Sequence, residues 1–395
     1  MHAAHLVRAL QAWRAEKGLP EAIVEGNGSL RMQDAGVQLL FDVATWSELG
    51  VLHNALKAQF FYRVVNSSVR YILSNQPDMV VLVDNRVLNL SLARMLRERG
   101  YTGRIVYYVA PVLWQSLYDP QEHARSLKSK RFLDVKRYCD LAIPIYPVSL
   151  RVYEELDIPY EYFGHPLCEL ARPKLSDAEF SELTGISYDA ARPQLLIGAL
   201  TGSRVREVKD ISPHVYRALA LIREAFAEDA EFEPPQIVSP VAHPDLMEGM
   251  LSAARAAGLD DLVLISSEHT YDLMARARLM IVKSGTGLHE CMLLGVPCIM
   301  CYRVPGYLAL LLRYVRRFSM PYYGFPNLLA GRAIVPELIQ EECTPTRIAE
   351  LAGSLLFEES ERRVMLEAFA ELREMLCKPE PLRHAAACLQ ALLPQ

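Results

Sequence analysis

A turn of small residues between a predicted strand and a predicted helix carries the clearest chemistry in the sequence. The apolar run 279–282 predicts a buried strand, Ser284 to Gly287 follow it, and a helix containing Glu290 then runs to Gly295. Free backbone N–H groups and the positive end of the helix dipole make such a turn a site for an anion, above all phosphate. The alternative is a tight turn in which Ser284 only caps the helix.

A second strand-to-glycine turn has an arginine attached to it. The run 194–199 predicts a strand, and the residues Leu200-Thr201-Gly202-Ser203-Arg204 follow it. The planar guanidinium fork donates two hydrogen bonds at once, which suits a diphosphate. The two turns together favour a diphosphate ligand.

Two further residues at predicted strand ends are candidates for acid–base chemistry. Asp84 ends the strand predicted over 79–83, and open α/β sheets bind their ligands beyond the carboxyl ends of their strands. His165 follows a strand predicted over 160–163. This histidine is either a ligand contact or a hydrogen-bonded turn residue.

The composition is that of a globular protein with more than one core. A length of 395 residues predicts two domains, and 51% hydrophobic with 23% charged residues is a globular balance. The net charge of −5 argues against a general nucleic-acid binder. The first residues lack the apolar core of a signal peptide. No apolar run approaches the roughly 18 residues of a spanning helix, so we expect any membrane contact to be peripheral.

The eight cysteines contain a single CxxC pair, Cys298 and Cys301. This pair lies inside an apolar, strand-like run, with no second CxxC pair and no histidine at metal-ligand spacing. We therefore expect reduced, buried thiols and no metal site.

Strands and helices alternate regularly in both halves of the chain, which predicts the fold class. The pattern indicates an α/β protein with two doubly wound, Rossmann-like domains that face each other across a cleft. A mixed-polarity linker over 170–193 separates them. We predict an acceptor- or membrane-facing domain over 1–170, a nucleotide-binding domain over 171–365, and a helical segment over 366–395 that packs back toward the first domain.

Three segments have compositions that suit contact with lipid or phosphate. The helix predicted over 47–75 has a wide apolar face edged by cations, which suits an anionic lipid surface or core packing equally. The segment 305–323 mixes leucines and tyrosines with arginines and suits a lipid-facing or oligomer-facing surface. The basic segment 118–137 is either a solvated helix or a site that attracts phosphate or lipid headgroups. From the first two segments the predicted membrane contacts are Phe60, Phe61, Tyr62, Tyr307, Leu311 and Arg316.

Several motifs together resemble one enzyme family over about residues 3–392. These motifs are RMQDAGVQLLFD, GHPL, LTGSR, SGTGLHE, PNLLAGR and VPELIQEECTP. They closely resemble the lipid-A-disaccharide synthase family of GT-B glycosyltransferases. The resemblance implies transfer of a diacylglucosaminyl group from UDP-diacylglucosamine to diacylglucosamine 1-phosphate, with inversion and without a metal or other cofactor. It also implies a peripheral position on the cytoplasmic face of the inner membrane of Gram-negative bacteria, and association into a homodimer through the C-terminal half.

The resemblance also implies a set of residues around UDP. The set is Ser203, Arg204, Ser284, Gly285, Thr286, Glu290, Asn327 and Arg332. Arg204 and the helix N-terminus would stabilise the charge that grows on the leaving diphosphate. Glu290 would accept hydrogen bonds from ribose hydroxyls, or would be a solvated or capping residue.

The sequence departs from the family pattern at two places. Family members begin with a strand and a glycine-rich loop, whereas this chain begins inside the helix that follows, and we expect the true start codon to lie further upstream. The family segment that carries the proposed general base has Val87 at its second aspartate position. Asp84 or His165 would then be the base. The alternatives are a related GT-B transferase with another acceptor and a catalytically silent UDP-sugar-binding protein.

Overall fold

The computed structural model describes residues 2–42, 54–112, 114, 120–186, 195–227, 233–304 and 321–394, with backbone alone at 54–60, 120 and 122. The chain divides into two compact units. Unit 1 comprises Met1–Glu169 and Leu376–Gln395, and unit 2 comprises Leu170–Met375. The second division therefore falls at 375/376, whereas the sequence placed a boundary at 365/366.

Unit 1 consists of parallel strands with helices between them. Its strands are β1 Glu25–Gly28, β2 Gln38–Asp42, β3 Met79–Val83, β4 Arg104–Tyr108 and β5 Leu141–Ile143. Its helices are α1 His2–Glu16, α2 Leu30–Gln33, α3 Asn54–Asn75, α4 Arg86–Glu98, α5 Pro120–Leu127, α6 Lys130–Tyr138, α7 Leu150–Glu155, α8 Leu167–Leu170 (which ends in unit 2) and the last helix of the chain, Pro381–Ala391. The basic segment predicted over 118–137 is thus two helices, α5 and α6.

The five strands of unit 1 form two separate parallel sheets. One pairs β1 with β2, and the other has the order β3-β4-β5. The predicted parallel pairing is confirmed, and among the described residues no strand joins β1 to β3. Gly26, Asn27 and Gly28 have the composition of a turn but belong to strand β1, because they pair with Leu39, Phe41 and Asp42. The strand predicted over 160–163 is reduced to one bridge between Ala142 and Tyr160.

The three-stranded sheet of unit 1 has an apolar layer on each face. Ile105 and Tyr107 of β4 point into a cluster with residues of α3, α4 and α6. Val106 and Tyr108, which alternate with them, pack with Leu6 of α1 and with Ala385 and Leu389 of the last helix. The period of two residues along β4 therefore assigns one face of the sheet to internal helices and the other to the first and last helices.

Cys168 and Cys377 form a disulfide, which corrects the expectation that all eight thiols are reduced. The two residues are 209 positions apart in sequence, and their Cα atoms are 5.5 Å apart. Sequence spacing could not reveal this proximity. Next to the disulfide, His165 N–H donates to the carbonyl of Leu376 at 3.0 Å. The thiols of Cys139, Cys291, Cys298, Cys301 and Cys343 are free and buried, as expected.

Unit 2 contains one six-stranded parallel sheet in the order β11-β10-β9-β6-β7-β8. Its strands are β6 Leu196–Leu200, β7 Gln236–Val241, β8 Val263–Ser266, β9 Leu279–Lys283, β10 Cys298–Tyr302 and β11 Glu337–Ile339. Its helices are α9 Asp177–Thr184, α10 Val205–Ala227, α11 Met247–Ala257, α12 Thr270–Met274, α13 Thr286–Leu294, α14 Phe325–Ala330, α15 Pro345–Phe357 and α16 Glu359–Leu376; the helix Pro381–Ala391 of unit 1 is α17. Residues 279–282 and 298–301 are fully buried because helices cover both faces of a parallel sheet.

The first residues of unit 2 are anchored by a buried arginine and a buried aspartate. Asp272 accepts hydrogen bonds from the backbone N–H groups of Lys174 and Leu175 at 2.6 and 2.7 Å. Arg276 donates to Asp177 at 2.7 Å, and its guanidinium lies 4.8 Å from the centre of the Phe180 ring. Part of the linker predicted over 170–193 is therefore ordered structure, and 187–194 lie outside the described residues.

The predicted lipid contacts are described only in part. In α3, Phe61 and Tyr62 are 36% and 68% exposed, whereas Val64 and Val65 are buried. The side chain of Phe60, and all of Tyr307, Leu311 and Arg316, lie outside the described residues. No helix in the described ranges is long and apolar enough to cross a membrane.

Replacing Arg276 should destabilise unit 2. Arg276→Ala removes hydrogen bonds from a charged donor and leaves buried acceptors unpaired, so we expect a loss of roughly 2–4 kcal/mol in the free energy of unfolding. Guanidinium chloride unfolding measures it. Arg255→Ala, at an exposed position of α11, should change stability by less than about 0.5 kcal/mol. Equal effects of the two substitutions would contradict the anchoring role.

Candidate functional site: two turns at the carboxyl ends of β6 and β9

The two turns singled out in the sequence lie side by side in unit 2. β6 and β9 are hydrogen-bonded neighbours, with Leu200 paired with Val282. The sheet continues to β7 on one side of this pair and to β10 on the other. The position between β6 and β9 is therefore the topological switch point, where helices leave the sheet on opposite faces and a ligand crevice opens at the carboxyl ends.

The turn after β9 presents backbone N–H groups rather than a capped helix. Gly285 is the N-cap of α13, and as a glycine it supplies no side-chain cap to the first turn of that helix. Ser284 is therefore not the cap, and its own N–H donates to the carbonyl of Cys301 at 3.0 Å. Gly285 has φ +152°, a conformation that favours glycine. Gly285 and Thr286 are exposed, so the first N–H groups of α13 are accessible to an anion.

Glu207 joins the two turns. Its carboxylate accepts a hydrogen bond from the backbone N–H of Ser203 at 3.0 Å and from Arg204 at 3.1 Å. The same carboxylate pairs with Lys283, the last residue of β9, at 2.9 Å. A Cβ atom at Gly202, which has φ +139°, would lie only 2.5 Å from the Cβ atom of Glu207, so a glycine is required there.

The electrostatics of this cluster keep Glu207 ionised. Burial by itself raises the pKa of Glu207. Hydrogen bonds from Lys283 and Ser203 and the charges of Lys283 and Arg204 lower the pKa by more than burial raises it. The pKa of Glu207 is therefore below its ordinary value of 4.5. The side chain of Lys283 is only 20% exposed, whereas that of Arg204 is 68% exposed. Two cations with different exposure therefore lie at the two turns, next to the N-terminus of α13.

Glu290, Asn327 and Arg332, which were also predicted to lie around UDP, have partners within the protein. Glu290 accepts a hydrogen bond from the Tyr271 hydroxyl at 3.0 Å, and burial raises its pKa. The fully buried amide of Asn327 accepts from Ile334 and Val335 and donates to Val335 and Glu337, so its hydrogen-bonding capacity is used inside the protein. Arg332 is exposed and pairs with Glu371 at 3.0 Å.

In unit 1, Asp84 lies on strained backbone at the end of β3. Asp84 has φ +54°, and Val109, at the end of the neighbouring strand β4, has φ +56°. Positive φ is rare for a β-branched residue, and such strain clusters at functional sites. The carbonyl of Asp84 accepts from Tyr107 at 2.6 Å and from Asn89 at 2.9 Å, which fixes the backbone and leaves the carboxylate on an exposed residue.

His165 is poorly suited to act as a base. It is 1% exposed, and its Nδ1 accepts a hydrogen bond from the backbone N–H of Leu167 at 3.1 Å. The neutral ring therefore carries its proton on Nε2, which can only donate. Tyr146 packs against the ring at 5.0 Å between centroids. Of the two predicted bases, the geometry favours Asp84.

Comparison with known proteins identifies the family. A family model described as lipid-A-disaccharide synthetase matches residues 1–389. This chain belongs to the lipid-A-disaccharide synthetase family. It is 29% identical over 395 residues to a lipid-A-disaccharide synthase of Myxococcus xanthus, covering 100% of this chain and 94% of that protein. It is also 29% identical over 360 residues to one of Geobacter sulfurreducens, covering 90% and 84%.

Solved structures of low sequence identity share the fold of this family member. The calicheamicin glycosyltransferase CalG4 has a TM-score of 0.58 at 15% identity, covering 98% of this chain and 93% of that one. The UDP-GlcNAc 2-epimerase of Neisseria meningitidis, solved with UDP-GlcNAc bound, has a TM-score of 0.54 at 12% identity, covering 99% and 96%. These likenesses establish the predicted GT-B fold class.

Two residues of the site, Glu207 and Lys283, were missed in the sequence. Glu207 lies three residues after Arg204, and Lys283 directly precedes the SGTG turn. Opposite charges that flank two strand-to-glycine turns are the signal that would have found them.

In the ranges that the structure describes, no group of three or more histidine, cysteine or acidic side chains is arranged to hold a metal ion.

The contribution of Glu207 to stability should depend on pH. Because the folded pKa of Glu207 is lowered, its contribution is present above the unfolded value and is lost as the pH falls through the folded pKa. Urea unfolding should therefore show Glu207→Gln less stable than wild type at about pH 7, with a gap that narrows toward about pH 4. A gap that widens on acidification would contradict the ion-pair assignment. The control Glu248→Gln, at an exposed position of α11, should shift stability by less than about 0.5 kcal/mol at both pH values.

Proposed function

We propose that this protein is a lipid-A-disaccharide synthase, an inverting glycosyltransferase. It transfers 2,3-diacylglucosamine from its UDP carrier to 2,3-diacylglucosamine 1-phosphate and releases UDP. The observation that carries the proposal is the cationic site at the carboxyl ends of β6 and β9, in a chain that belongs to this family.

The donor diphosphate binds at the two turns of unit 2. The N–H groups at the start of α13 donate to one phosphate, while Arg204 and Lys283 neutralise the charge. Both cations share the single carboxylate of Glu207 in the structure, and a diphosphate carries more negative charge than that carboxylate. Charge grows on the diphosphate as the glycosidic bond breaks, so these groups stabilise the transition state more than the bound donor.

Asp84 is the general base for the acceptor. A hydroxyl oxygen of the acceptor attacks the anomeric carbon, the bond from that carbon to the diphosphate oxygen breaks, and the hydroxyl proton passes to Asp84. Its position after β3 supports this role, because catalytic groups in such folds lie at the carboxyl ends of the strands. Val87 is 73% exposed and has no group that accepts a proton.

The acylated substrates bring the protein to a membrane surface. Phe61 and Tyr62 are exposed on α3 beside the exposed Arg63, a combination of aromatic and cationic side chains that suits an anionic lipid surface. We place this surface on the cytoplasmic face of the inner membrane. Homodimer formation stays a prediction.

Loss of Arg204 should weaken donor binding selectively. Arg204→Ala removes a charged donor from the diphosphate, so the Kd for UDP should rise roughly 10- to 100-fold, measured by titration calorimetry. Arg217→Ala removes the same charge from an exposed position further along α10 and should leave the Kd within about twofold. Equal effects of both substitutions would point to net charge instead of a specific contact.

Loss of Asp84 should affect turnover more than binding. Asp84→Asn should lower kcat by roughly 10²- to 10⁴-fold in an assay with radiolabelled UDP-diacylglucosamine and lipid acceptor, with the donor KM unchanged. In the Asp84→Asn background, Val87→Asp tests whether position 87 can supply the carboxylate. We expect this second substitution to restore part of the lost kcat. Unchanged turnover in Asp84→Asn would rule out Asp84 as the base. Wild-type protein that binds UDP but forms no product would instead favour a catalytically silent UDP-sugar-binding protein.

A further inference from the structure

Unit 1 contains a cationic cavity, and one of its lining residues, Arg86, lies two positions after Asp84 in the sequence. Its volume is about 510 Å³, within the range of about 300–1,000 Å³ that small-molecule sites have. Helices α4 and α6 and the residue before α6 form its wall, and the lining residues are Arg86, Val87, Leu90, Ser91, Arg94, Ser129, Lys130, Arg131 and Asp134. Four cations thus face one carboxylate in a protein whose net charge is −5.

Two of the arginines that line the cavity have a nitrogen atom without a hydrogen-bond partner among the described residues. The Nε atoms of Arg94 and Arg131 are buried and have no hydrogen-bond acceptor among the described residues. Glu98 is 3.8 Å from Nε of Arg94, beyond hydrogen-bond distance, and Arg131 donates from Nη1 to the carbonyl of Val112 at 2.8 Å. Because buried donors in native proteins are normally paired, two unpaired Nε atoms on arginines that line one cationic cavity favour an anionic ligand with several acceptor oxygens.

The backbone adds to the positive potential of the cavity. Arg86 is the first residue of α4 and Lys130 is the first residue of α6, so the positive ends of two helix dipoles lie at the cavity. The side chain of Ser129 caps α6, and that of Asn85 caps α4. The helix ends therefore contribute mainly a favourable field, and the side-chain donors contribute the hydrogen bonds.

We propose that this cavity binds the phosphate monoester of the sugar acceptor. The proposal rests on the proposed function, in which the acceptor carries a phosphate and offers a hydroxyl to Asp84. Arg86 follows Asp84 by two residues, at most about 7 Å of chain, so one small molecule can reach both. Asp134 is the one group that would repel the phosphate, and it is suited to accept hydrogen bonds from the sugar.

The headgroup of an anionic membrane phospholipid also carries a phosphate and is the competing candidate ligand for this cavity. A phospholipid headgroup would attract the protein to the bilayer without affecting the use of a water-soluble or micellar acceptor. A bound acceptor phosphate would affect acceptor use whether or not a bilayer is present. The two sources are therefore separable by experiment.

The test compares two double variants with the same change in net charge. Arg86→Ala/Lys130→Ala removes two exposed cavity cations, and Arg99→Ala/Arg137→Ala removes two exposed cations from the other ends of the same helices. In detergent micelles the cavity variant should raise the KM for the phosphorylated acceptor roughly 10- to 100-fold. Its kcat, its KM for the donor, and its KM for an acceptor lacking the phosphate should stay within about twofold. Arg86→Lys/Lys130→Arg should restore the KM, and the control variant should match wild type.

Two results would overturn the proposal. One is an equal rise in KM for acceptors with and without phosphate. The other is an unchanged acceptor KM together with loss of binding to phosphatidylglycerol vesicles but not to phosphatidylcholine vesicles, which would assign the cavity to membrane headgroups.

A readout without turnover separates this proposal from the proposed function. Titration calorimetry with glucosamine 1-phosphate should show binding to wild type that is lost in the cavity variant, even if no transfer product forms. If wild type does not bind this ligand although it is catalytically active, the cavity assignment is wrong and the proposed function stands.

Discussion

The carboxylate of Glu207 is the contact on which the geometry of the proposed nucleotide site depends. β6 and β9 bring two turns together, but strand pairing ends before the turns begin, so side chains must fix the turns relative to each other. One carboxylate does so by holding Ser203 N–H, Arg204 and Lys283 at 2.9–3.1 Å. Gly202 allows the close approach, and Gly285 leaves the helix end open. In the structure the two cations, Arg204 and Lys283, are therefore paired with an internal anion.

The same electrostatic design occurs twice in a chain with an overall negative charge. In unit 2, cations lie next to the start of α13, and in unit 1 the cavity cations lie at the starts of α4 and α6. α13 follows β9 and α4 follows β3, so in both places a helix begins just after the carboxyl end of a parallel strand. Parallel α/β architecture therefore creates positive potential at one edge of each sheet, and local lysines and arginines strengthen it. Net charge says little about the anionic ligands of such a protein.

The sequence predicted the features that depend on local pattern. Apolar runs such as 279–282 predicted the buried strands, and both glycine turns were recognised from their residues. Features that depend on strand order were not predictable: the Glu207–Lys283 pair exists only because β6 lies beside β9. The short strand β1 has the composition of a turn, and its parallel pairing with β2 overrides local preference. The buried amide of Asn327 and the accepting Nδ1 of His165 likewise require three-dimensional partners that no spacing reveals.

Unit 1 is discontinuous in sequence, and this has a consequence for the order of folding. The chain leaves unit 1 at Glu169 and returns at Leu376, and the core of unit 1 includes Ala385 and Leu389 of α17 packed with Leu6 of α1. Domains generally fold as units while the ribosome extends the chain from its N-terminus. Unit 2 is complete in sequence before α17 is synthesised, whereas until then the three-stranded sheet of unit 1 lacks one of the two helices that cover the face of Val106 and Tyr108. Unit 2 begins later in the sequence than unit 1, but it is the first unit that can finish folding. Unit 1 depends on α17 to complete its core.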